Sequence, residues 1–278
     1  MDHGELWEKL AYRDCELGAV LLKNCKVTKF TTEDSKITKV KYLEADTEKE
    51  LDADIVISTM PLKDLVNGIE ENVPKEICEI ANGLPYRDFI TIGLLLKKMN
   101  LKNTTNIKTL GDIVPDCWIY MQEPEVRMCR IQIFNNWSPY LVQDPEKNIW
   151  IGLEYVCKEA DDIWQMTEEE FKNFTVNELL KINLIDKEDV EDYHVEKVKK
   201  AYPAYFDTYG QIDKLREYLD GYSNLYCIGR NGQHRYNNMD HSMQTAKEAV
   251  KNIKSGISDK SNIWNVNIEK EYHESKKV

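Results

Sequence analysis

Hydrophobic and polar positions in the first part of the chain predict one helix followed by strands. Residues 4–17 repeat apolar side chains at helical spacing, and Gly18 stands where such a helix would end. The run 19–22 is strand-like, and the segments KVTKF and ITKVKYL alternate apolar and polar residues as half-buried strands do. Residues 53–60, ADIVISTM, are continuously apolar up to Pro61, which predicts a strand covered on both faces.

The middle of the chain changes from helical to strand-like patterns. Residues 62–82 are predicted to be helical. Four strand candidates separated by turn-rich loops follow Pro85, at residues 89–97, 117–121, 128–134 and 149–156. Strands that follow one another without intervening helices predict an antiparallel sheet and not a βαβ series.

The chain from residue 167 onward is predicted to contain three helices and two strands, and one of the helices is the amphipathic stretch IDKLREYL at 212–219. Thr167 and Glu170 form a capping-box pattern at the start of a helix over 167–182, with an apolar face of Phe171, Phe174 and Leu179. Short strands are predicted at 195–198 and 225–228. A helix over 239–253 follows, with Gly256 at its end and a buried stripe of Met243, Ala246, Ala249, Val250 and Ile253.

Composition narrows the class of protein. The net charge of −12 and pI of about 5.1 argue against a nucleic-acid partner, which would require a basic surface. The seven cysteines show no C-x-x-C pattern, so reduced and buried thiols are expected, and the five histidines lack zinc spacing, so no metal site is expected. No apolar run approaches a membrane span of about 18 residues, and the start does not resemble a signal peptide. We therefore expect a soluble cytoplasmic protein.

A polar, glycine-containing segment, GRNGQHRYNNMDHSMQTA, spans residues 229–246 between the last predicted strand and helix. This order places unpaired backbone N–H groups at the carboxyl edge of an open α/β sheet, where ligands bind and where such groups attract anionic oxygens. Arg230 can form paired hydrogen bonds with a phosphate, and Gly229 and Gly232 allow close backbone approach. From the residues alone, a helix cap beside a surface loop explains the segment equally well.

The segment resembles the C-terminal flavin-binding motif of the FAD-dependent superfamily that includes flavin amine oxidases, protoporphyrinogen oxidase and UDP-galactopyranose mutase. The positions similar to the mutase motif are Gly229-Arg230, Arg235-Tyr236, Met239-Asp240 and Ala246. Weaker similarities lie upstream, in AYPAY at 201–205, ADIVISTMP at 53–61 and LPYRDFITIGLLLKK at 84–98.

The resemblance implies an α/β (α+β) fold, in which the remnant of a Rossmann-like FAD-binding domain carries an inserted antiparallel-sheet substrate domain. The implied boundaries are 1–64 and 201–257 for the two parts of the FAD-binding domain, 65–200 for the substrate domain and 258–278 for a polar tail. The tail is expected to be frayed, although Ile263 and Trp264 are apolar enough to dock.

The resemblance also implies roles for individual residues. Arg230 would lie near the FAD pyrophosphate or the flavin, the N–H groups of Met239 and Asp240 would face the flavin pyrimidine, and the Val27 backbone would pair with adenine. The implied FAD-binding set is Val27, Gly229, Arg230, Asn238, Met239, Asp240 and Met243. The implied substrate-binding set is Arg87, Tyr202 and Tyr236, at positions that face a sugar-nucleotide diphosphate in the mutase. No catalytic acid or base is implied.

Several of these residues have simpler interpretations. Val27 is also explained as an inward strand valine, Arg87 as part of a surface ion pair, and the two tyrosines as core or rim aromatics. For His234 and His241 we favour hydrogen-bonded loop histidines over a role in tuning flavin protonation. For Trp118, Trp137 and Trp150 we favour sheet packing over the lining of a pocket.

The sequence departs from the superfamily pattern at its start. No G-x-G-x-x-G turn is present, although this turn binds the FAD pyrophosphate in such proteins. The chain is therefore expected to be a gene fragment with its other half encoded upstream, an incomplete sequence, or a reduced homologue that no longer binds FAD. Asn237-Asn238 replaces a bulkier, more acidic pair of the mutase, which weakens the case for mutase chemistry.

Three functions remain open from the sequence. The first is an FAD-dependent oxidoreductase, amine oxidase-like or protoporphyrinogen oxidase-like, in an incomplete chain that transfers a hydride from a small molecule to flavin N5. The second is a mutase-like flavoenzyme acting on a sugar nucleotide. The third is a cofactor-free homologue, or a subunit that completes a Rossmann-bearing partner chain.

Overall fold

The computed structural model describes residues 3–267, which divide into two compact units. The first unit comprises the chain up to Leu21 together with residues 87–201, and the second comprises residues 22–86 and the chain from Tyr202 onward. The N-terminal helix therefore groups with the antiparallel sheet, whereas residues 1–64 were expected to lie together in the FAD-binding domain. The assignment of the units to cofactor and substrate stays a prediction.

The first unit is built on a five-stranded sheet. The strands lie in the order β6-β7-β8-β5-β9, and the pairs β6–β7, β7–β8 and β8–β5 are antiparallel. The strands, two of which cross the unit boundaries, are β5 (Tyr86–Leu96), β6 (Trp118–Tyr120), β7 (Arg130–Ile133), β8 (Ile149–Cys157) and β9 (Val190–Pro203). The helices are α1 (His3–Glu16), α4 (Phe134–Trp137), α5 (Asp162–Gln165) and α6 (Glu168–Lys181).

The core of the first unit lies on one face of this sheet. Alternate residues of β5 and β8, such as Ile92 and Leu153, are fully buried and belong to the same cluster as Phe171 and Leu179 of α6. The capping box predicted for α6 is confirmed, because the Thr167 hydroxyl accepts the Glu170 N–H and the Glu170 carboxylate accepts the Thr167 N–H. The opposite sheet face carries aromatic and polar side chains.

The second unit contains two smaller sheets and the remaining helices. One sheet has the order β1-β2-β3 and is antiparallel, and the other pairs β4 with β10 in parallel. The strands are β1 (Cys25–Glu33), β2 (Lys36–Glu44), β3 (Thr47–Asp52), β4 (Val56–Ser58) and β10 (Leu225–Cys227). The helices are α2 (Leu62–Gly68), α3 (Lys75–Asn82), α7 (Ile212–Asp220), α8 (Gly229–Gly232), α9 (Met239–Ser255) and α10 (Ser261–Trp264).

Most of the predicted elements are present. The helix expected over 4–17 is α1, the four strand candidates are β5 to β8, and Gly256 ends α9 in the left-handed conformation, with φ of 63°. The helical region 62–82 is two helices, and residues 195–198 belong to a longer strand. The run 19–22 is exposed and is not a strand. Strand β3 was missed because TEKELD is mostly polar and exposed along its whole length.

Two expectations about burial were wrong. Residues 53–60 were expected to form a strand covered on both faces, yet only Val56–Ser58 pair, and Ile55 and Ile57 are exposed. In α9, Met243 and Val250 were assigned to a buried stripe but lie largely exposed. Because parallel strands are normally covered on both faces, the exposed side of β4 is an uncovered apolar surface within the described part of the chain.

The start of the expected tail docks on the second unit. The buried Lys260 ammonium donates to the backbone carbonyls of Tyr222 (2.6 Å) and Asp220 (3.2 Å). The buried Trp264 indole N–H donates to the Asp220 carboxylate at 3.0 Å. Residues 258–267 are therefore ordered by buried contacts and not frayed, and the rest of the expected tail lies outside the described residues.

The cysteines are free, but only two are buried. Cys157 and Cys227 are buried, Cys15 is exposed, and the other four are intermediate, so the expectation of buried thiols was wrong for most of them. Burial raises the pKa of the Cys227 thiol to about 12. Among residues 3–267, no helix is long and apolar enough to cross a bilayer, and no cluster of three or more His, Cys, Asp or Glu residues is placed to hold a metal.

Candidate functional site

The parallel strands of the second unit end beside a glycine-dependent turn. Just beyond β10, the Ile228 N–H donates to the Ser58 carbonyl of β4 at 3.0 Å. The chain then turns into α8 through Gly229, whose φ of +74° favours glycine. At Gly232 a Cβ atom would lie 2.6 Å from the same Ser58 carbonyl oxygen, so only glycine allows this approach. The two glycines thus fix the corner between the strand ends and α9.

Arg230 lies at this corner among tyrosines. Its guanidinium carbon is 4.5 Å from the Tyr236 ring centroid and 5.6 Å from that of Tyr202, and its Nε donates to the Asn237 carbonyl at 2.9 Å. The two tyrosine rings stack at 5.8 Å with an angle of 10° between them. The structure therefore brings together one predicted cofactor residue and two predicted substrate residues. The rings and the Asn237 carbonyl hold the guanidinium in one position.

The N-terminus of α9 presents backbone donors beside exposed methionines. Asn238 is the N-cap residue, and its N–H donates to His241 Nδ1 at 3.3 Å. The N–H groups of Met239 and Asp240 have no hydrogen-bond partner within residues 3–267, as expected for the first turn of a helix. The side chains of Met239 and Met243 are 48% and 46% exposed. The predicted FAD-binding residues at the start of α9 therefore offer backbone N–H donors next to an apolar surface.

The loop between α8 and α9 is held from both sides. The Tyr236 N–H donates to the Tyr205 hydroxyl at 2.5 Å, and Asn267 Nδ2 donates to the Tyr236 carbonyl at 3.0 Å. The buried Asn237 side chain donates to Gln233 Oε1 and accepts from Asn267. Gln233 and Asn267 were missed by the sequence analysis, because nothing in the local pattern links residue 267 with this loop.

His234 is a buried anchor of the same loop. Its Nε2–H donates to the Ala204 carbonyl at 3.1 Å, and its ring meets the Tyr86 ring edge-on at a centroid distance of 4.6 Å. The Nδ1 atom is buried and has no hydrogen-bond partner among the described residues. Burial lowers the pKa of His234 below its usual value of 6.5. His234 is therefore a hydrogen-bonded loop histidine, which is the interpretation that the sequence favoured.

This geometry predicts a pH dependence of stability. Below a pH of about 6.5, His234 is protonated in the unfolded state but stays neutral in the folded state, because its folded pKa is lower. Its contribution to the free energy of unfolding is therefore complete above that pH and decreases as the pH falls. Between about pH 7 and pH 5, we expect the free energy of unfolding to fall by about 1 kcal/mol more in the wild type than in His234→Gln. Urea unfolding across this range measures the difference, with the exposed His194→Gln as control. Parallel pH profiles of wild type and His234→Gln would contradict it.

The other predicted ligand residues lie elsewhere. Val27 is in β1, where it pairs with Tyr42 and packs against the core of the second unit. Arg87 is in the first unit, exposed near the start of β5, and forms no ion pair within the described residues. Its surface ion-pair interpretation is therefore wrong, while its role toward a substrate stays a prediction.

The three tryptophans line a common cavity in the first unit, and Trp150 also packs on the sheet over Gly93, so the two interpretations do not exclude each other. The cavity has a volume of about 490 Å³, and we refer to it as the tryptophan cavity. Its lining comprises Trp118, Gln132, Phe134, Trp137, Leu141 and Trp150, with Gly4 of α1. Trp118, Gln132 and Trp150 occupy strand positions on the face opposite the buried one, but the strand pairing that brings them together is not visible in any single segment.

Comparison with known proteins places this fold among those of flavoenzymes. A reduced UDP-galactopyranose mutase is 21% identical over 88% of this chain and 50% of that chain, with a TM-score of 0.69. A putrescine oxidase bound to putrescine is 16% identical over 89% of this chain and 52% of that chain, with a TM-score of 0.58. A putative protoporphyrinogen oxidase from Exiguobacterium is 13% identical over 74% of this chain and 42% of that chain, with a TM-score of 0.51. The chain spans about half the length of these proteins.

The profile of the flavin containing amine oxidoreductases matches residues 4–254. The chain therefore belongs to that family. The search of curated proteins gave no match.

Proposed function

We propose that this chain supplies the flavin-contacting and substrate-binding part of an FAD-dependent oxidoreductase. The observation that supports it is the corner in the second unit, where Arg230 and the free N–H groups of Met239 and Asp240 occur on one short stretch that starts at the ends of two parallel strands. Helix N-termini and guanidinium groups at such an edge recognise phosphate and other electron-rich oxygens.

The residues at the corner suit a flavin dinucleotide. Gly229 and Gly232 leave room for the backbone, the α9 amides would hold an electron-rich ring edge, and Met239 and Met243 would cover an apolar ring. When bound, FAD supplies hydride acceptance at its N5 atom. The chain's own residues would bind and orient the cofactor, with Arg230 directed toward its phosphates or toward the flavin.

We propose in addition that a dinucleotide-binding unit, on the same or another polypeptide, completes the cofactor site. The parallel pair β4–β10 has only three residues per strand, and Ile57 is 43% exposed. Isolated two-stranded sheets are marginal in water, and parallel strands are normally covered on both faces. A further strand and helix laid against β4 would bury Ile55 and Ile57.

The test is whether the chain retains flavin. The purified chain is mixed with FAD, passed through gel filtration and examined for the visible absorbance of oxidised flavin, alone and after co-expression with a G-x-G-x-x-G unit encoded beside its gene. Retention in either form supports a flavoprotein, and retention only with the added unit supports a split site. Failure in both forms would leave a cofactor-free homologue.

Arg230 variants give the residue-level prediction. We expect Arg230→Met to weaken FAD binding by roughly 10- to 100-fold, because it removes a charge-assisted hydrogen bond, and Arg230→Lys to weaken it less. Flavin fluorescence titration of the FAD-binding form measures the change. The matched control is Lys247→Met, which removes a positive charge from an exposed position on α9. Wild-type affinity in a folded Arg230→Met variant would contradict this role.

A second candidate is mutase-like chemistry on a sugar nucleotide. It is favoured by the stacked pair Tyr202 and Tyr236 beside Arg230, since these tyrosines match substrate-facing positions of the mutase. The flavin-loaded protein is assayed with UDP-galactopyranose with and without dithionite, and with amines under oxygen. Turnover of the sugar nucleotide only under dithionite selects the mutase. Hydrogen peroxide formed with an amine selects the oxidase.

A further inference from the structure

Two facing glycines allow the aromatic rings of the tryptophan cavity to lie against the sheet. Gly93 of β5 and Gly152 of β8 are paired in register. A Cβ at Gly93 would lie 2.2 Å from the Trp150 ring, and one at Gly152 would lie 2.8 Å from the Phe134 ring. A glycine inside a strand costs about 0.5–1 kcal/mol relative to alanine, and it often marks a site of close approach. The glycines therefore position the Phe134 and Trp150 rings, which stack at a centroid distance of 6.4 Å.

The other wall of the cavity is aromatic as well. Trp118 and Trp137 meet edge-on at a centroid distance of 5.2 Å, and their side chains are 43% and 42% exposed. Because both side chains are more than 40% exposed, part of each ring stays accessible to a ligand. Sites of this size lined by aromatic rings with few polar groups are typical of small-molecule pockets.

Charges next to the cavity are already neutralised. The Arg130 guanidinium donates to the buried Glu154 carboxylate, with Nε–Oε2 and Nη2–Oε2 distances of 2.7 and 2.5 Å. Gln132 Nε2 also donates to Glu154. The Arg130 guanidinium carbon lies 4.8 Å from the Trp118 ring centroid. Because Arg130 and Glu154 neutralise each other, a cationic or an anionic ligand would have to break this pair to gain a counter-charge here.

The lining also disfavours a ligand that carries many hydroxyl groups. Besides the indole N–H groups of its three tryptophans, the lining has one polar side chain, Gln132, whose Nε2 is used by Glu154 and whose Oε1 is left as an acceptor. A sugar ring would need several hydrogen bonds to replace those it makes with water. A flat unsaturated ring would stack on the tryptophans and needs one donor for Gln132.

We propose that the tryptophan cavity binds an uncharged, flat, unsaturated ring that carries a hydrogen-bond donor. Either the base of a nucleotide or the aryl group of a small molecule has this chemistry. This proposal concerns the first unit alone and does not depend on flavin binding.

The test is a titration of the full chain by isothermal titration calorimetry, because indole itself fluoresces in the tryptophan range. The probes are uridine for a base, indole for an aryl group, methyl β-D-galactopyranoside for a saturated ring and benzylammonium for a cation. We expect uridine or indole to bind with millimolar or tighter affinity, and the other two to bind at least tenfold more weakly, a difference of about 1.4 kcal/mol. Tighter binding of uridine indicates a nucleotide base as the natural ligand, and tighter binding of indole indicates an aryl group. Preferential binding of the pyranoside or benzylammonium, or no binding by any probe, would overturn the proposal.

Variants locate the bound ring. Trp137→Ala is expected to weaken binding roughly 5- to 100-fold, which is the range for one lost stacking partner. Tyr140→Ala is the matched control, because Tyr140 is 77% exposed, lies three residues away and does not line the cavity. In the wild type, N-methylindole should bind more weakly than indole, and Gln132→Met should abolish that preference. A folded Trp137→Ala variant with unchanged affinity would place the ring elsewhere and overturn the proposal.

Discussion

Replacing Trp264 with alanine is expected to lower the free energy of unfolding of the second unit by about 3–5 kcal/mol, the range for removing a buried aromatic side chain. The Trp264 ring belongs to the main core cluster of this unit, and the Arg216 guanidinium carbon lies 5.5 Å from its centroid. Its indole N–H also donates to the Asp220 carboxylate. Urea denaturation followed by circular dichroism measures the loss.

The effect should extend to the candidate cofactor corner. Gln233 Nε2 donates to the Ile263 carbonyl at 2.9 Å, and Asn267 bonds to Tyr236 and Asn237, so displacing this segment releases the loop before α9. Limited proteolysis should therefore cut the loop faster in Trp264→Ala. The control Trp264→Phe keeps an aromatic ring but loses one hydrogen bond and part of the buried area, and should cost roughly 1–3 kcal/mol. A loss below about 1 kcal/mol in Trp264→Ala would mean that residues 258–267 do not dock in solution.

Glu178→Ala is expected to destabilise the first unit by about 3 kcal/mol, because it leaves several buried donors without an acceptor. The Glu178 carboxylate is buried in α6 and accepts the N–H groups of Arg127 (2.5 Å) and Met128 (3.3 Å). It also accepts the Tyr155 hydroxyl at 2.9 Å. One side chain thus connects the helix to the segment before β7 and to β8.

Two variants separate this role from general effects on the helix. Glu178→Gln keeps one oxygen acceptor and should cost about half as much as the alanine variant, roughly 1–2 kcal/mol. Asn177→Ala changes the exposed neighbouring residue of α6 and should stay within about 0.5 kcal/mol of the wild type. Equal stability of Asn177→Ala and Glu178→Ala in urea would show that the carboxylate does not organise the core.

Local patterns were sufficient wherever a segment's own residues determine its conformation. The capping box at Thr167 and the left-handed Gly256 were predicted because each depends on residues within one helical turn. Strands β5 to β8 were found because each is a short apolar segment bounded by turn-rich loops, and each supplies residues to one buried core. The same reasoning failed for residues 53–60, since an apolar run indicates the capacity for burial and not what covers it.

The candidate site likewise has one part that the sequence predicted and one part that it did not. The glycines, Arg230 and the start of α9 are adjacent in sequence, so their grouping was predictable from the resemblance and from the strand-to-helix order. The stacking of Tyr202 on Tyr236 and the contact of residue 267 with the loop join positions about 30 or more residues apart. No local periodicity encodes such pairs, and the tryptophan cavity was missed for this reason.

The sequence by itself determined most of the helices and the antiparallel strands of the first unit, because these depend on neighbouring residues, and it grouped the residues of the 229–246 segment. Only the tertiary structure decided that α1 groups with the large sheet, that residues 258–267 are docked, and that three tryptophans share one cavity. Each of these results arises from burial between segments that are distant along the chain. Burial depends on the shape and packing of the whole unit, which the pattern of a single segment does not contain.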